Sequence, residues 1–291
     1  MTKDEIENRV KEIDIEISKL SIVMNGIKIA ANGIFGKLGE RFSRIYSPQL
    51  LLQVTITGQL ALLMLIERIE AIGVPVVSGN TDGIILKYPK ARKQEVMEAI
   101  RLWESDTQFE TEETKYKAVY SRDVNNYIAI KYEQDETAEF LDDRLGVKTK
   151  GCFAERGSAL NSVLSKNPEN LIVNDSVIRY LVDKTPVNET IKNCKDFRRF
   201  VRIRTVKGGG CKGDEYLGKI ARWYYAENET EAINYVLSGN KVANTEGAKP
   251  AMDLPDSIPS DINYKYYIKE ANEILYKLQA KQNPREMSLF D

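Results

Sequence analysis

Val76-Val77-Ser78-Gly79-Asn80-Thr81-Asp82-Gly83-Ile84-Ile85-Leu86 is the stretch on which the reading of this chain turns. Apolar residues lead into it and leave it, and Ser, Gly, Asn, Thr, Asp and Gly lie between them. Two apolar runs joined by a short link of that composition predict a β-hairpin. Asp82 then sits at the hairpin tip, held by two buried strands with its carboxylate facing outward. A carboxylate fixed on a rigid turn can hold a hard cation such as Mg²⁺. By itself, the stretch reads equally as a surface hairpin whose Asp serves only the turn.

Upstream, residues 4–38 predict one long helix, because Ile6, Val10, Ile13, Ile17 and Leu20 recur at three- and four-residue steps between charged residues. Its later part reads Lys28-Ile29-Ala30-Ala31-Asn32-Gly33-Ile34-Phe35-Gly36-Lys37-Leu38-Gly39. Lys28 and Asn32, four apart, share a helix face, and Gly36 and Gly39 let the helix stop. A second helix over 48–72 starts at Ser47-Pro48 and ends at Gly73 and Pro75. Its apolar stretch from Leu50 to Ile66 is broken by Gln53, Thr55, Thr57, Gly58 and Gln59. That spacing suits a buried helix rather than a membrane span.

Downstream of the hairpin, Lys90 to Trp103 predicts a helix, and Tyr116 to Lys131 predicts one or two strands turning near Asp123 to Asn126. The acidic stretches Glu104–Glu113 and Glu133–Asp143 read as solvated loops. Asn167-Pro168 and Thr185-Pro186 frame a short helix with Val177, Ile178 and Leu181. Phe197 to Val206 predicts a strand with Arg202 and Arg204 on one side, and Gly208-Gly209-Gly210 a flexible turn. From Lys195 to Arg222 there are nine basic residues against three acidic ones, and Trp223, Tyr224 and Tyr225 follow. That composition suits a surface that tracks phosphates and packs on sugars, or a solvated face above core aromatics. Asn244 to Asp261 reads as an extended connector, Tyr264 to Ala280 as a closing amphipathic helix, and the rest as a frayed tail.

The 291 residues suffice for two domains with a sizeable core, and 42% apolar and 29% charged residues are ordinary for a soluble globular protein. There is no histidine, which excludes His-based acid–base chemistry, Ser–His and Cys–His pairs and the common zinc sites. Cys152, Cys194 and Cys211 are odd in number and widely spaced, as expected in a reducing compartment. Met1-Thr2-Lys3-Asp4-Glu5 lacks the apolar core of a secretory signal. A net charge of −1 makes no case for nucleic acid or membrane unless a local patch does.

Taken in order, these pieces resemble the C-terminal part of a bacteriophage-type family B DNA polymerase. Lys28-x-x-x-Asn32-Gly33-x-Phe35-Gly36 is similar to the fingers-helix motif K-x-x-x-N-S-x-Y-G, and Gly79-Asn80-Thr81-Asp82-Gly83 to the palm hairpin Y-G-D-T-D-S. Tyr116 to Ile130, with Asn125-Asn126-Tyr127, falls where the family has its K-x-Y strand against the primer terminus. Leu217-Gly218-Lys219 through Tyr225 falls in the thumb. The resemblance implies an α+β fold: an antiparallel palm sheet with packed helices, then a mostly helical thumb with a small β element. It places a fingers helix at 1–39, palm at 40–150 and thumb at 151–291.

It further implies template-directed nucleotidyl transfer from dNTPs to a primer 3′ end on primer–template DNA, in the host cell cytoplasm and away from membrane. Asp82 would ligate Mg²⁺ at a two-metal site, Lys28 would meet the triphosphate, and Asn32 and Phe35 would shape the nucleotide pocket. Tyr127, Arg202, Arg204, Lys207, Lys212, Lys219 and Arg222 would contact nucleic acid. Two metal ions stabilise the attacking and leaving oxygens, so no nucleophilic side chain is required.

The chain departs from the family pattern in several places. Asn80 stands where the family has the first Asp of its pair. Gly83 and Gly33 replace Ser, Phe35 replaces Tyr, and Asn125 replaces Lys. Nothing before Lys28 resembles D-x-x-S-L-Y-P, which carries the other metal-binding Asp, and the exonuclease D-x-E is missing. The expectation is therefore a polymerase portion that needs an N-terminal polypeptide carrying the exonuclease and the missing Asp. The alternatives are a catalytically inactive polymerase-derived DNA-binding module and a helical scaffold with no nucleic-acid role.

Overall fold

A computed structural model describes residues 3–131, 146–154, 171–253 and 257–280. The chain is α+β with small antiparallel sheets, and it divides into two compact units, Met1–Thr111 and Glu112–Asp291. The segment Glu133–Asp143, the pair Asn167-Pro168 and the tail past Ala280 lie outside the described residues.

The first unit runs α1 (Lys3–Gly39), α2 (Pro48–Ala71), β1 (Val76–Asn80), β2 (Gly83–Leu86), a 3₁₀ turn (Lys90–Arg92) and α3 (Lys93–Thr107). The Ser47 hydroxyl accepts the Leu50 N–H, and Pro48 opens α2, as that pair of residues predicts. Gly73, at φ +74°, turns the chain back, and the Arg92 guanidinium donates to the carbonyls of Ile72 and Gly73. The core is small: Leu65 and Ile69 of α2, Val74, and Val96, Ala99 and Trp103 of α3. The Trp103 indole N–H reaches the Ala61 carbonyl at 2.7 Å, so the ring is buried without an orphaned donor.

Three expectations change here. The strands β1 and β2 are half-buried, not buried, because helix covers one side only. Helix α3 continues past Glu104 to Thr107 and closes at Gln108 in the left-handed region. Glu104 then accepts both the N–H and hydroxyl of Thr111, and these bonds hold its carboxyl below the usual range. The third change is the largest. Helix α2 is not the buried helix its sequence predicts: Leu65 and Ile69 are its buried residues, while Leu52 and Leu60 stand about 60% exposed. Helix α3 and the hairpin reach only its C-terminal half. By length and composition α2 is apolar enough to cross a membrane.

The second unit opens with a sheet of β3 (Tyr116–Asp123), β4 (Asn126–Lys131) and β5 (Val147–Lys150). Helices α4 (Leu171–Asp183) and α5 (Val187–Asn193) follow. Then come β6 (Arg202–Lys212), β7 (Glu215–Tyr225), β8 (Asn234–Tyr235), β9 (Ala248–Pro250) and α6 (Tyr264–Ala280). The second sheet has the order β8-β6-β7-β9, all antiparallel. One apolar core joins Ile128 and Val147 of the first sheet, Val173 and Val177 of α4, Ile203 and Trp223 of the second sheet and Leu275 of α6.

Two corrections fall in this unit. Phe197–Arg199 is a 3₁₀ turn, because Asp196 caps it by accepting the Arg198 N–H at 3.0 Å, so the strand starts only at Arg202. The triple glycine is not the turn. It lies inside β6, where Gly208 and Gly209 take φ +85° and +95° and the ladder slips between Thr205 and Gly210. A Cβ at Gly209 would come within 2.7 Å of the Tyr216 ring, so this bulge demands glycine. The hairpin closes instead at Gly213-Asp214. The expected connector Asn244–Asp261 contains β9 and the buried Thr245, whose hydroxyl donates to Val242 O at 2.7 Å and accepts the Ile233 N–H.

Tyr267 fixes α6 to the sheet. Its hydroxyl donates to the Phe200 carbonyl and accepts the Tyr225 N–H, both at 2.9 Å, and burial pushes its acid constant well up. Tyr267→Phe keeps the ring but leaves a carbonyl and an N–H without a partner. It is expected to destabilise the unit by about 1–3 kcal/mol in urea unfolding, with the unfolding slope unchanged.

Candidate functional site

The hairpin places Asp82 as the sequence predicts. Asn80 pairs with Gly83, which leaves Thr81 and Asp82 as a two-residue link open to solvent. Gly79 lies close over Ile66 of α2, where a Cβ would stand 3.4 Å from the Ile66 methyl. The hairpin thus rests on the helix while its tip points away from the core. The Asn80 side-chain oxygen accepts from the Thr81 N–H at 2.7 Å and the Thr81 hydroxyl at 3.1 Å. That oxygen is committed to the turn, so Asp82 is the hard oxygen donor the hairpin presents. Among the described residues no group of three or more His, Cys, Asp or Glu gathers to hold a metal ion.

Lys28, Asn32 and Phe35 are exposed on α1, and their spacing puts them along one stripe. Gly26, Gly33 and Gly36 accompany them, and a Cβ built at any of the three meets nothing within 4 Å. Each glycine costs an exposed helix about 1 kcal/mol relative to alanine, and no packing among the described residues accounts for them. They leave the backbone beside Lys28 and Asn32 open to close approach. Among the described residues no hydrogen bond or ion pair links this stripe to the hairpin.

The basic strand pair of the second unit divides unequally. Arg202 is a core residue: its guanidinium pairs with Glu270, donates to the Tyr225 hydroxyl at 3.1 Å and lies 4.7 Å from the Tyr225 ring centre. A phosphate could reach it only by dismantling that cluster, so its expected contact with nucleic acid is corrected. Lys212 is held between the Ala248 carbonyl and Glu229, and Arg204 donates to the Ala243 carbonyl at 2.7 Å. Arg222 is half-buried, whereas Lys207 and Lys219 are exposed. Trp223, Tyr224 and Tyr225 are buried, so they cannot pack on sugars. The segment is basic and aromatic as its composition says, but period-two alternation does not show that both faces of this sheet end are covered.

A second basic and aromatic face escapes the sequence reading. On β3–β4–β5, Tyr127 pairs with Lys150, Ala129 with Lys148 and Tyr116 with Lys131. Paired and alternate residues share a face, so these side chains stand opposite Ile128 and Val147, which enter the core. Burial pulls the Lys148 ammonium toward the neutral form, but the Tyr116 and Tyr127 hydroxyls and Glu112 together hold its acid constant above the ordinary lysine value. It stays charged. The Lys148-x-Lys150 alternation is the signal available in the sequence.

The end of this face is rigid. Asp123 accepts from the Asn125 N–H at 3.0 Å and the Asn126 amide at 2.7 Å, bonds that hold its carboxyl below the usual range. Asn126 in turn accepts the Cys152 N–H at 2.7 Å, and Asn174 of α4 donates to the Cys152 carbonyl at 2.8 Å. Gly151, at φ +68°, passes so near that a Cβ would lie 2.2 Å from the Asn126 oxygen.

No protein-family model matches this chain.

The two basic sets are separable by mutation. Changing Lys148 and Lys150 to Ala is expected to weaken primer–template binding and reduce the salt slope by about 1 for each phosphate no longer neutralised, with little change in melting temperature. Arg202→Ala is expected to do the reverse, costing about 3 kcal/mol of stability because it strands Glu270. Fluorescence anisotropy across salt and thermal melts measure both.

Proposed function

We propose that this chain is the C-terminal portion of a family B-type DNA polymerase that extends a primer only with a second polypeptide. The observation that carries the reading is the open hairpin tip, which offers one hard carboxylate, Asp82, and no second. Family resemblance gives that carboxylate its role. When bound there, Mg²⁺ supplies positive charge to the phosphate oxygens of the incoming nucleotide. Asp82 orients it, and Lys28 offers a point charge to the β- and γ-phosphates. Asn32, Phe35 and the exposed backbone at Gly33 and Gly36 accept the nucleotide. The Tyr127–Lys148–Lys150 face and Lys207 and Lys219 hold the duplex by its phosphates. The apolar surface left uncovered on the first unit supports incompleteness, since so much exposed Ile, Val and Leu is unusual for a lone soluble chain.

Asn80 favours a second reading. Its oxygen is spent on the turn, where the family carries an acid. A catalytically inactive module that binds primer–template DNA would show this same hairpin.

Primer extension separates the two. The isolated chain is expected to bind primer–template DNA and not extend it, and adding the polypeptide that carries D-x-x-S-L-Y-P restores Mg²⁺-dependent synthesis. No synthesis from the mixture leaves the inactive module. Robust synthesis by the isolated chain overturns the need for a partner. In the reconstituted enzyme, Asp82→Ala abolishes extension with duplex affinity intact, and Lys28→Ala raises the apparent nucleotide KM about tenfold or more.

A further inference from the structure

Helix α1 carries a seam that the fingers motif does not use. Ile6, Val10, Ile13, Ile17, Leu20, Met24, Ile27, Ala31, Ile34 and Leu38 follow one another at alternating steps of four and three along an unbroken helix. This is the heptad repeat of a coiled coil, with Val10, Ile17, Met24, Ala31 and Leu38 at a and the others at d. The seam runs for about 48 Å. Its large residues are uncovered from Ile6 to Ile34, from 42% exposed at Ile13 to 70% at Met24. The helix meets α2 only near its C-terminal end, where Leu38 accepts the Ser47 N–H and Gly39 abuts Leu51.

We propose that α1 pairs with the α1 of a second copy of this chain, antiparallel and in full register. Three observations select that occupant and that direction. First, the seam is its own complement when reversed. Val10 meets the other helix's Ile34, Ile17 meets Ile27, Met24 meets Leu20, Ala31 meets Ile13 and Leu38 meets Ile6, so every a faces a d with none left over. Second, the flanking charges agree. Antiparallel helices set e against e and g against g. Asp14 thereby meets Lys28 twice across the pair, and both are exposed in the single chain. The unfavourable approach, Arg9 toward Lys37, is neutralised beforehand, because Arg9 already pairs with Glu12 and Lys37 with Glu40. Third, the dyad brings Ser21 to Ser21 and Val23 to Val23, two small or apolar residues at flanking positions. A parallel pair would instead stack Ile at four of five d layers, a pattern that disfavours two strands, and would leave Lys28 opposite Val23.

The pair does not depend on the polymerase reading. If that reading holds, it adds a consequence: Lys28 bound to Asp14 of the other copy is withheld from the triphosphate.

The test is made on the full chain without nucleotide, so its outcome is independent of polymerase activity. Light scattering is expected to give the mass of two chains at tens of micromolar, falling to one chain for Leu20→Asp. That substitution is at an exposed position and leaves the far-ultraviolet spectrum of the rest of the fold in place. Ser21→Cys, in a chain with Cys152, Cys194 and Cys211 changed to Ser, is expected to cross-link to itself with a short bis-maleimide. An equal mixture of Glu16→Cys and Ser21→Cys chains is expected to give no mixed product, which parallel pairing would favour. A single-chain mass at 100 μM overturns the proposal, as does a mixed 16–21 product or a dimer that Leu20→Asp does not disturb. A single-chain mass together with capture of a different polypeptide on this seam also overturns it.

Discussion

Apolar surface without a cover is the constraint that governs the first unit. Its interior amounts to one end of α2, the face of α3 and one side of a two-stranded ribbon. Such a ribbon has little independent stability and relies on the helices it rests upon. The rest of the apolar side chains on α1 and α2 face outward. A helix that is apolar nearly all round, as α1 is from Leu20 to Phe35, belongs in an interior. The chain therefore supplies half of an interface, and the polymerase reading and the self-pairing of α1 both address what supplies the other half.

The second unit is built differently. Its long β6–β7 hairpin is clamped by α6 through Tyr267, Arg202 and Glu270, and its turn closes at Gly213, a residue suited to the positive φ found there. The ion pair sits against Tyr225 and Tyr266, whose rings are stacked 3.7 Å apart. A cation enclosed by aromatic faces and one carboxylate is neutralised locally and serves to hold elements together. Basic residues a few positions away, at Lys207 and Lys219, are solvated and open to a phosphate. Charge count along a strand says nothing about this division; the position of α6 does.

The local features are the most legible ones. The hairpin at Asn80–Gly83, the turn between β3 and β4, the Ser47-Pro48 cap and the limits of α6 all follow from side-chain chemistry within a few residues. What depends on distant partners is not legible. The apolar run from Leu50 to Ile66 reads as buried because apolar residues usually are, yet what covers a helix is decided by elements its own sequence does not name. The triple glycine reads as a turn because glycine permits one, whereas the Tyr216 ring is what requires it. The Lys148 and Lys150 face stays hidden because a four-residue strand has too few positions to display its alternation, and its meaning comes from Tyr116 and Tyr127 on neighbouring strands.

Cys152 stands exposed where the sheet of β3, β4 and β5 ends, with its backbone anchored on both sides by Asn126 and Asn174. A thiol-directed fluorophore attached there would ride on a fixed mount at the border of the tyrosine and lysine face. Its emission would report the arrival of a polyanion in real time, and the two less accessible sulfurs would contribute little background.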